Sequence, residues 1–164
     1  MNQYQNFQPV FEQIKARYDQ NPAAGLACKQ GIYTNCAVLK LQRPGWTNDP
    51  MDRVQNESGI FFSVWIGDEA ARLSRAKYNI HALKLRELKG YRITSRDFAA
   101  AFREGFSPLR DSWPNVAVDF GPLTLMEGWI DVEPADCENQ IFELLQRFEL
   151  IAPLIDRLLA SRRK

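Results

Sequence analysis

The 164-residue chain has three cysteines and one histidine, His81. Cys28, Cys36 and Cys137 form no C-x-x-C pair, and with His81 they nearly exhaust the ligands a structural zinc site would need at close paired spacings. A disulfide-stapled scaffold is excluded on the same ground, and three reduced thiols in a reducing, cytoplasmic compartment are expected. Apolar runs are only a few residues long, far short of a membrane span. The first twenty residues, Met1 to Gln20, are polar and amphipathic and do not read as a secretory signal. The sequence contains no G-x-G-x-x-G, no G-x-x-x-x-G-K and no G-x-S-x-G, so neither a phosphate-cradling loop nor an α/β-hydrolase nucleophile is encoded. No cofactor is implied.

What the sequence does have is an ordinary globular composition, 45% apolar and 25% charged, at a length that suits one domain, taken as 1–164. Charge is nearly balanced overall but unevenly placed. Residues 72–110 carry ten Lys/Arg against three Asp/Glu, whereas residues 111–156 carry one against ten. Such a chain either pairs these charges across its own surface or presents two faces of opposite sign.

Tyr4, Phe7, Phe11, Ile14 and Tyr18 recur at helical spacing, with Pro9 tolerable only near the first turn. Residues 34–42 favour a strand. A stronger one spans 59–67, where Ile60, Phe62, Val64 and Ile66 alternate with Phe61, Ser63 and Trp65. Because both of its faces are apolar, it should be central, covered on both sides or exposed on one at a contact surface. A short helix is expected near 69–77 and a strand over 78–86. Thr94-Ser95-Arg96-Asp97 fits a capping box opening a helix with Phe98, Phe102 and Phe106 on its buried stripe, and Gly105 fits a left-handed terminus. Strands over 115–120 and 123–132, joined by Gly121-Pro122, precede a long terminal helix containing Pro153. The order α-β-β-β-α-β-β-α predicts an α+β fold of two layers, a mainly antiparallel sheet of about five strands with helices on one face.

Three functional readings follow. The favoured one is a non-enzymatic binding or adaptor module that contacts a protein partner. Its connection over 43–58 is 16 residues long and holds Trp46; a second loop, 105–115, holds Trp113. An indole on a loop either folds back as a lid or anchors a partner. With Trp65 on an uncovered sheet face, the two would form a contact surface rimmed by Lys84, Arg86 and Arg92. Phe142, Leu150 and Leu154 lie off the main stripe of the last helix and leave room for a homodimer. The second reading is a nucleic-acid-binding domain using the basic middle segment with Tyr78 and Tyr91. The third is enzymatic. Asp68 at the end of a strand, followed by Glu87-Leu88-Lys89, is similar to the Mg²⁺-binding pattern of restriction-endonuclease-like nucleases, in which two acids hold the ion and the lysine acts on the attacking water. The antiparallel sheet predicted here departs from the helix-flanked parallel core of that pattern. His81, between Ile80 and Ala82, reads as a buried, hydrogen-bonded structural histidine.

Overall fold

The computed structural model describes residues 2–23, 25–49, 54–55 and 58–164. Its centre is an antiparallel sheet of five strands in simple sequence order: β1 Ala27–Tyr33, β2 Cys36–Gln42, β3 Gly59–Gly67, β4 Arg75–Leu83 and β5 Thr124–Asp131. Four α-helices accompany it: α1 Gln8–Gln20, α2 Asp68–Arg72, α3 Ser95–Phe106 and α4 Cys137–Ala160. The predicted two-layer α+β architecture is therefore the observed one, with two strands exchanged. Residues 34–42 are the Thr34-Asn35 turn plus β2, and β1 before them lies where no strand was expected. Residues 115–120 are not a strand: only Ala117 bridges to Glu127.

Local chemistry explains where the elements begin. Pro9 occupies the first turn of α1, preceded by a 3-10 turn over Gln3–Phe7, because a proline lacks the N–H an inner turn would require. Thr94 caps α3 by accepting from the Asp97 amide (3.3 Å). The Asp97 carboxylate does not return to the cap; it accepts from Arg162 at 3.0 Å. Gly105 sits inside α3 rather than ending it, and its missing side chain is what admits Leu154 of α4, whose Cδ1 would lie 2.6 Å from an added Cβ. α4 runs unbroken through Pro153, which faces solvent.

The helices cover one face of the sheet. Against them β3 turns Ile60, Phe62, Val64 and Ile66, and β4 turns Ala76, Tyr78, Ile80 and Ala82, all fully buried. An aromatic cluster fills the centre. Phe62 stacks on Phe148 of α4 with ring centres 4.6 Å apart, and Phe148 also meets Trp113 (5.4 Å) and Tyr78 (6.1 Å). Tyr78 lies across Gly128 of β5, where a Cβ would stand 2.9 Å from its Cε1, and its hydroxyl donates to the Pro114 carbonyl at 2.6 Å. Arg103 of α3 fastens the Gly121-Pro122 turn by donating to the carbonyls of Phe120, Gly121, Thr124 and Leu125.

Candidate functional site

Strand alternation leaves a second face that, among the described residues, no helix covers, and on it the register assembles an unusual row. Lys29 stands opposite Lys40, Lys40 opposite Ser63, Ser63 opposite Asn79, and Asn79 opposite Glu127, so one polar side chain comes from each of the five strands. The Ser63 hydroxyl donates to Asn79 Oδ1, and Asn79 Nδ2 donates to Glu127 Oε1 at 3.5 Å. These are not surface groups: Lys40 is 1% exposed, Asn79 3% and Ser63 6%.

Aromatic rows flank this polar one. On one side Phe61 stands opposite His81, ring centres 5.3 Å apart, and His81 opposite Thr124. A β-bulge sets that last pair: Ile80 faces Met126 and His81 faces Thr124, leaving Leu125 as the extra residue and bringing Thr124 beside the histidine. His81 Nδ1 lies 3.4 Å from both Thr124 Oγ1 and the Leu123 carbonyl. On the other side Val38, Trp65, Lys77 and Trp129 form a row in which the Lys77 ammonium lies 5.1 Å from the Trp65 ring centre. Of these three rows, all but Lys29, Lys77 and Trp129 line an open hollow of about 470 Å³. Val54, from the long connection between β2 and β3, packs over Gly31 and closes part of its β1 side.

The electrostatics of the hollow are set by burial. Desolvation, assisted by the Lys29 ammonium across the strand pair and opposed by Asp49, pushes Lys40 down to about 8. The Lys40 Nζ lies 4.3 Å from the centre of the Phe61 ring, which meets the cation with its electron-rich face. Cys36, at the hollow's edge, has its thiol pushed up by burial and by Asp68, with Lys77 opposing. Such a thiol is a poor nucleophile at neutral pH.

The residues singled out in the sequence fall elsewhere, with one exception. Trp46 and Trp113 are buried at 1% and 6% exposure on the helix-covered side, so the expected solvent-facing anchors are corrected to core. Trp46 packs edge-on against Phe62 (5.3 Å) and its indole donates to Asp156 at 2.9 Å, while Arg43 pairs with the same carboxylate at 3.1 Å. Trp113 is held between Tyr78, Phe106 and Phe148. Trp65 alone lies on the open face, half-buried.

The metal reading fails on topology. Asp68 follows the end of β3 and Glu87 follows the end of β4, and Gly59 pairs with Leu83, so the two carboxylates stand at opposite ends of a nine-residue strand, roughly 25 Å apart. Asp68 instead accepts from the Tyr4 amide (3.2 Å), and Glu87 and Lys89 belong to an exposed turn whose backbone is held by Asn48. Among the described residues no group of three His, Cys, Asp or Glu side chains could hold an ion. Lys84, Arg86 and Arg92 are exposed beyond the end of β4 and line no part of the hollow. His81 is half-buried at the hollow's edge rather than enclosed. Of the apolar residues on α4, Leu154 is buried against Gly105 and Phe142 lies under Arg17 (3.9 Å), leaving Leu150 as the exposed one at 76%. Among the described residues no helix is long and apolar enough to cross a membrane.

Sequence reasoning missed Lys40, Asn79 and Glu127, and passed over Ser63 as a site residue. A signal was present: Lys40 interrupts Leu39 and Leu41, and Ser63 interrupts Phe62 and Val64, polar residues set singly into apolar strands. Comparison with known protein families, with curated proteins and with solved structures finds no match to this chain.

Proposed function

We propose that the chain is a small-molecule-binding module whose ligand lies in the open-face hollow, its planar or apolar part against Phe61 and Trp65 and its polar part on the row from Lys40 to Glu127. The observation that carries this reading is the lining of the hollow, in which Phe61, Trp65 and His81 stand around the polar Lys40, Ser63, Asn79 and Glu127. Apolar walls around a few convergent polar groups are the usual composition of a ligand pocket, and the volume falls within the ordinary range.

The fluorescent anion 1-anilinonaphthalene-8-sulfonate, planar at one end and charged at the other, tests it directly. Saturable binding of one dye per chain is expected, weakened at least tenfold by Val38→Trp, which fills the hollow from β2, at an unchanged melting temperature. Dye binding that is unsaturable, or that Val38→Trp leaves intact, overturns the reading.

A further inference from the structure

We propose that the end of the molecule where the chain leaves β4 is a docking surface for a nucleic-acid duplex, held by its phosphates without regard to base sequence. The inference is independent of the ligand site, whose hollow these residues do not line.

Two segments far apart in the sequence build this surface. Lys84 takes a left-handed conformation (φ +56°), and a 3-10 turn follows over Leu85–Glu87. Leu85, Leu88 and Ile93 are buried, which turns Lys84, Arg86, Lys89 and Arg92 outward into solvent. Asn48 holds this backbone in place, donating to the Glu87 carbonyl at 2.7 Å and accepting from the Lys89 amide at 2.8 Å. Residues 162–164 lie alongside. Tyr91 pairs with Arg163, the Arg92 amide donates to the Arg162 carbonyl at 2.8 Å, and the Lys164 amide donates to the Gly90 carbonyl at 3.1 Å. Residues 84–96 and 162–164 together hold eight Lys/Arg against one Asp/Glu.

Two neighbouring carboxylates are already engaged: Asp97 accepts from Arg162, and Asp156 from Trp46 while pairing with Arg43. Among the described residues the other seven basic side chains of the cluster form no ion pair and no hydrogen bond. The acids that precede and open α4, Glu133, Asp136 and Glu138, stand at its far end, about 35 Å away over 24 helical residues. That distance is about four Debye lengths at physiological ionic strength, so they do not cancel the field here.

Charge without apolar surface selects the partner. A protein interface needs an apolar centre, and a lipid surface takes apolar side chains among its acyl chains, whereas the apolar residues interleaved here point inward. A nucleic-acid backbone is bound by counterion release, and guanidinium forks match its phosphate oxygens. Tyr91, the one aromatic residue in the two segments, packs against the core and offers no platform for an unstacked base, which favours a duplex over a single strand.

Fluorescence anisotropy of a labelled DNA duplex of about 20 base pairs, titrated with the full chain, tests the surface. Affinity should fall about a thousandfold between about 50 and 200 mM salt, the loss expected when six or more phosphates are neutralised. Arg86→Gln combined with Arg92→Gln should make the logarithmic salt slope shallower by about two, at an unchanged melting temperature. Arg72→Gln combined with Arg110→Gln, exposed arginines outside the cluster, should leave slope and affinity as they are. A single strand of the same length should bind no tighter than the duplex. A nearly flat salt response, a slope that the Arg86 and Arg92 pair leaves unchanged, or an equal loss from the Arg72 and Arg110 pair overturns the proposal. So does tighter binding of the single strand, or binding to phosphatidylserine vesicles at a salt concentration where the duplex stays free, which would assign the charge to a lipid surface.

Discussion

Phe62 and Ser63 are neighbours in β3 and stand on opposite sides of the sheet. Phe62 stacks on Phe148 within an aromatic cluster that joins β3, β4 and α4. Ser63, also buried, stands opposite Lys40 on one neighbouring strand and donates to Asn79 on the other. The helix-covered face is bound by apolar burial and close ring packing, which stabilise in proportion to area. The open face buries polar groups whose desolvation costs free energy unless each is hydrogen-bonded or paired. One face therefore bears most of the stability, and the other carries a desolvation cost that its hydrogen bonds and charge contacts must offset.

The sharpest way to break the comparison is to remove its aromatic centre. Phe148→Ala should destabilise the chain by about 3–5 kcal/mol, because Phe62, Tyr78 and Trp113 all lose a partner and the space is enclosed by α4. Denaturant unfolding measures it directly. A loss below about 1 kcal/mol would mean that the cluster is not the core.

A second break lies where the long connection re-enters β3. Gly59 has φ of +79°, in the left-handed region, and an added Cβ would press on the Trp46 carbonyl and stand 2.8 Å from Thr47 Cα. Gly59→Ala should thus cost about 2 kcal/mol or more, by backbone strain and by displacing Trp46 from Phe62 and Asp156. Weakened near-ultraviolet dichroism from the indole would report the displacement alongside the lost stability.

How far these two faces were legible in the sequence follows from the range of the forces involved. The alternation Ile60-Phe62-Val64-Ile66 and the cap at Thr94 are written in adjacent residues and appear in the structure as expected. β1 is not, since Lys29, Gln30 and Gly31 interrupt its pattern and its pairing with β2 supplies the order. Residues 115–120 carry strand-like Val116 and Val118 but find a partner only at Ala117. Trp46 and Trp113 sit in turn-rich segments, and what buries them, Asp156 and Phe148, lies far along the chain on α4. The site is harder still. Lys40, Ser63, Asn79 and Glu127 meet only through the register of four strands, including the bulge beside His81, and no local pattern encodes register.

A gentler probe reverses the sign. Below about pH 8 both folded and unfolded chains hold the Lys40 proton, and the folded state bears the whole cost of burying it. Between about 8 and 10.5 the folded chain releases that proton while the unfolded chain keeps it, so stability should climb with pH. From about pH 9 the thiols of Cys137 and Cys36, and above about 10 the hydroxyls of Tyr18 and Tyr78, all pushed up by desolvation, oppose that gain because the unfolded groups ionise first, so the climb is clearest between about 8 and 9. Lys40→Met, similar in reach and uncharged, should raise stability at pH 7 by about 1 kcal/mol or more and flatten the climb. Melting temperatures across this pH range for both chains decide it; an unchanged slope would show that Lys40 is not the group responsible.

The smallest expected effect on folding separates the two faces most cleanly. Trp65 is as large as Trp46 and Trp113, yet it is half-buried on the open side, with Lys77 5.1 Å from its ring centre and, among the described residues, no ring contact with the core aromatics. Trp65→Ala should therefore cost less than about 1 kcal/mol, the scale of an exposed cation–π contact and partial burial. The same substitution removes a wall of the hollow, so dye affinity should fall several-fold while the helix-side cluster is untouched. In Trp46 and Trp113 the order of effects is inverted, since their rings stabilise the fold and line no part of the hollow. Were Trp65→Ala to destabilise the chain as severely as Phe148→Ala, the open face would be a second core, and its buried lysine would have to be explained by packing instead of by a ligand.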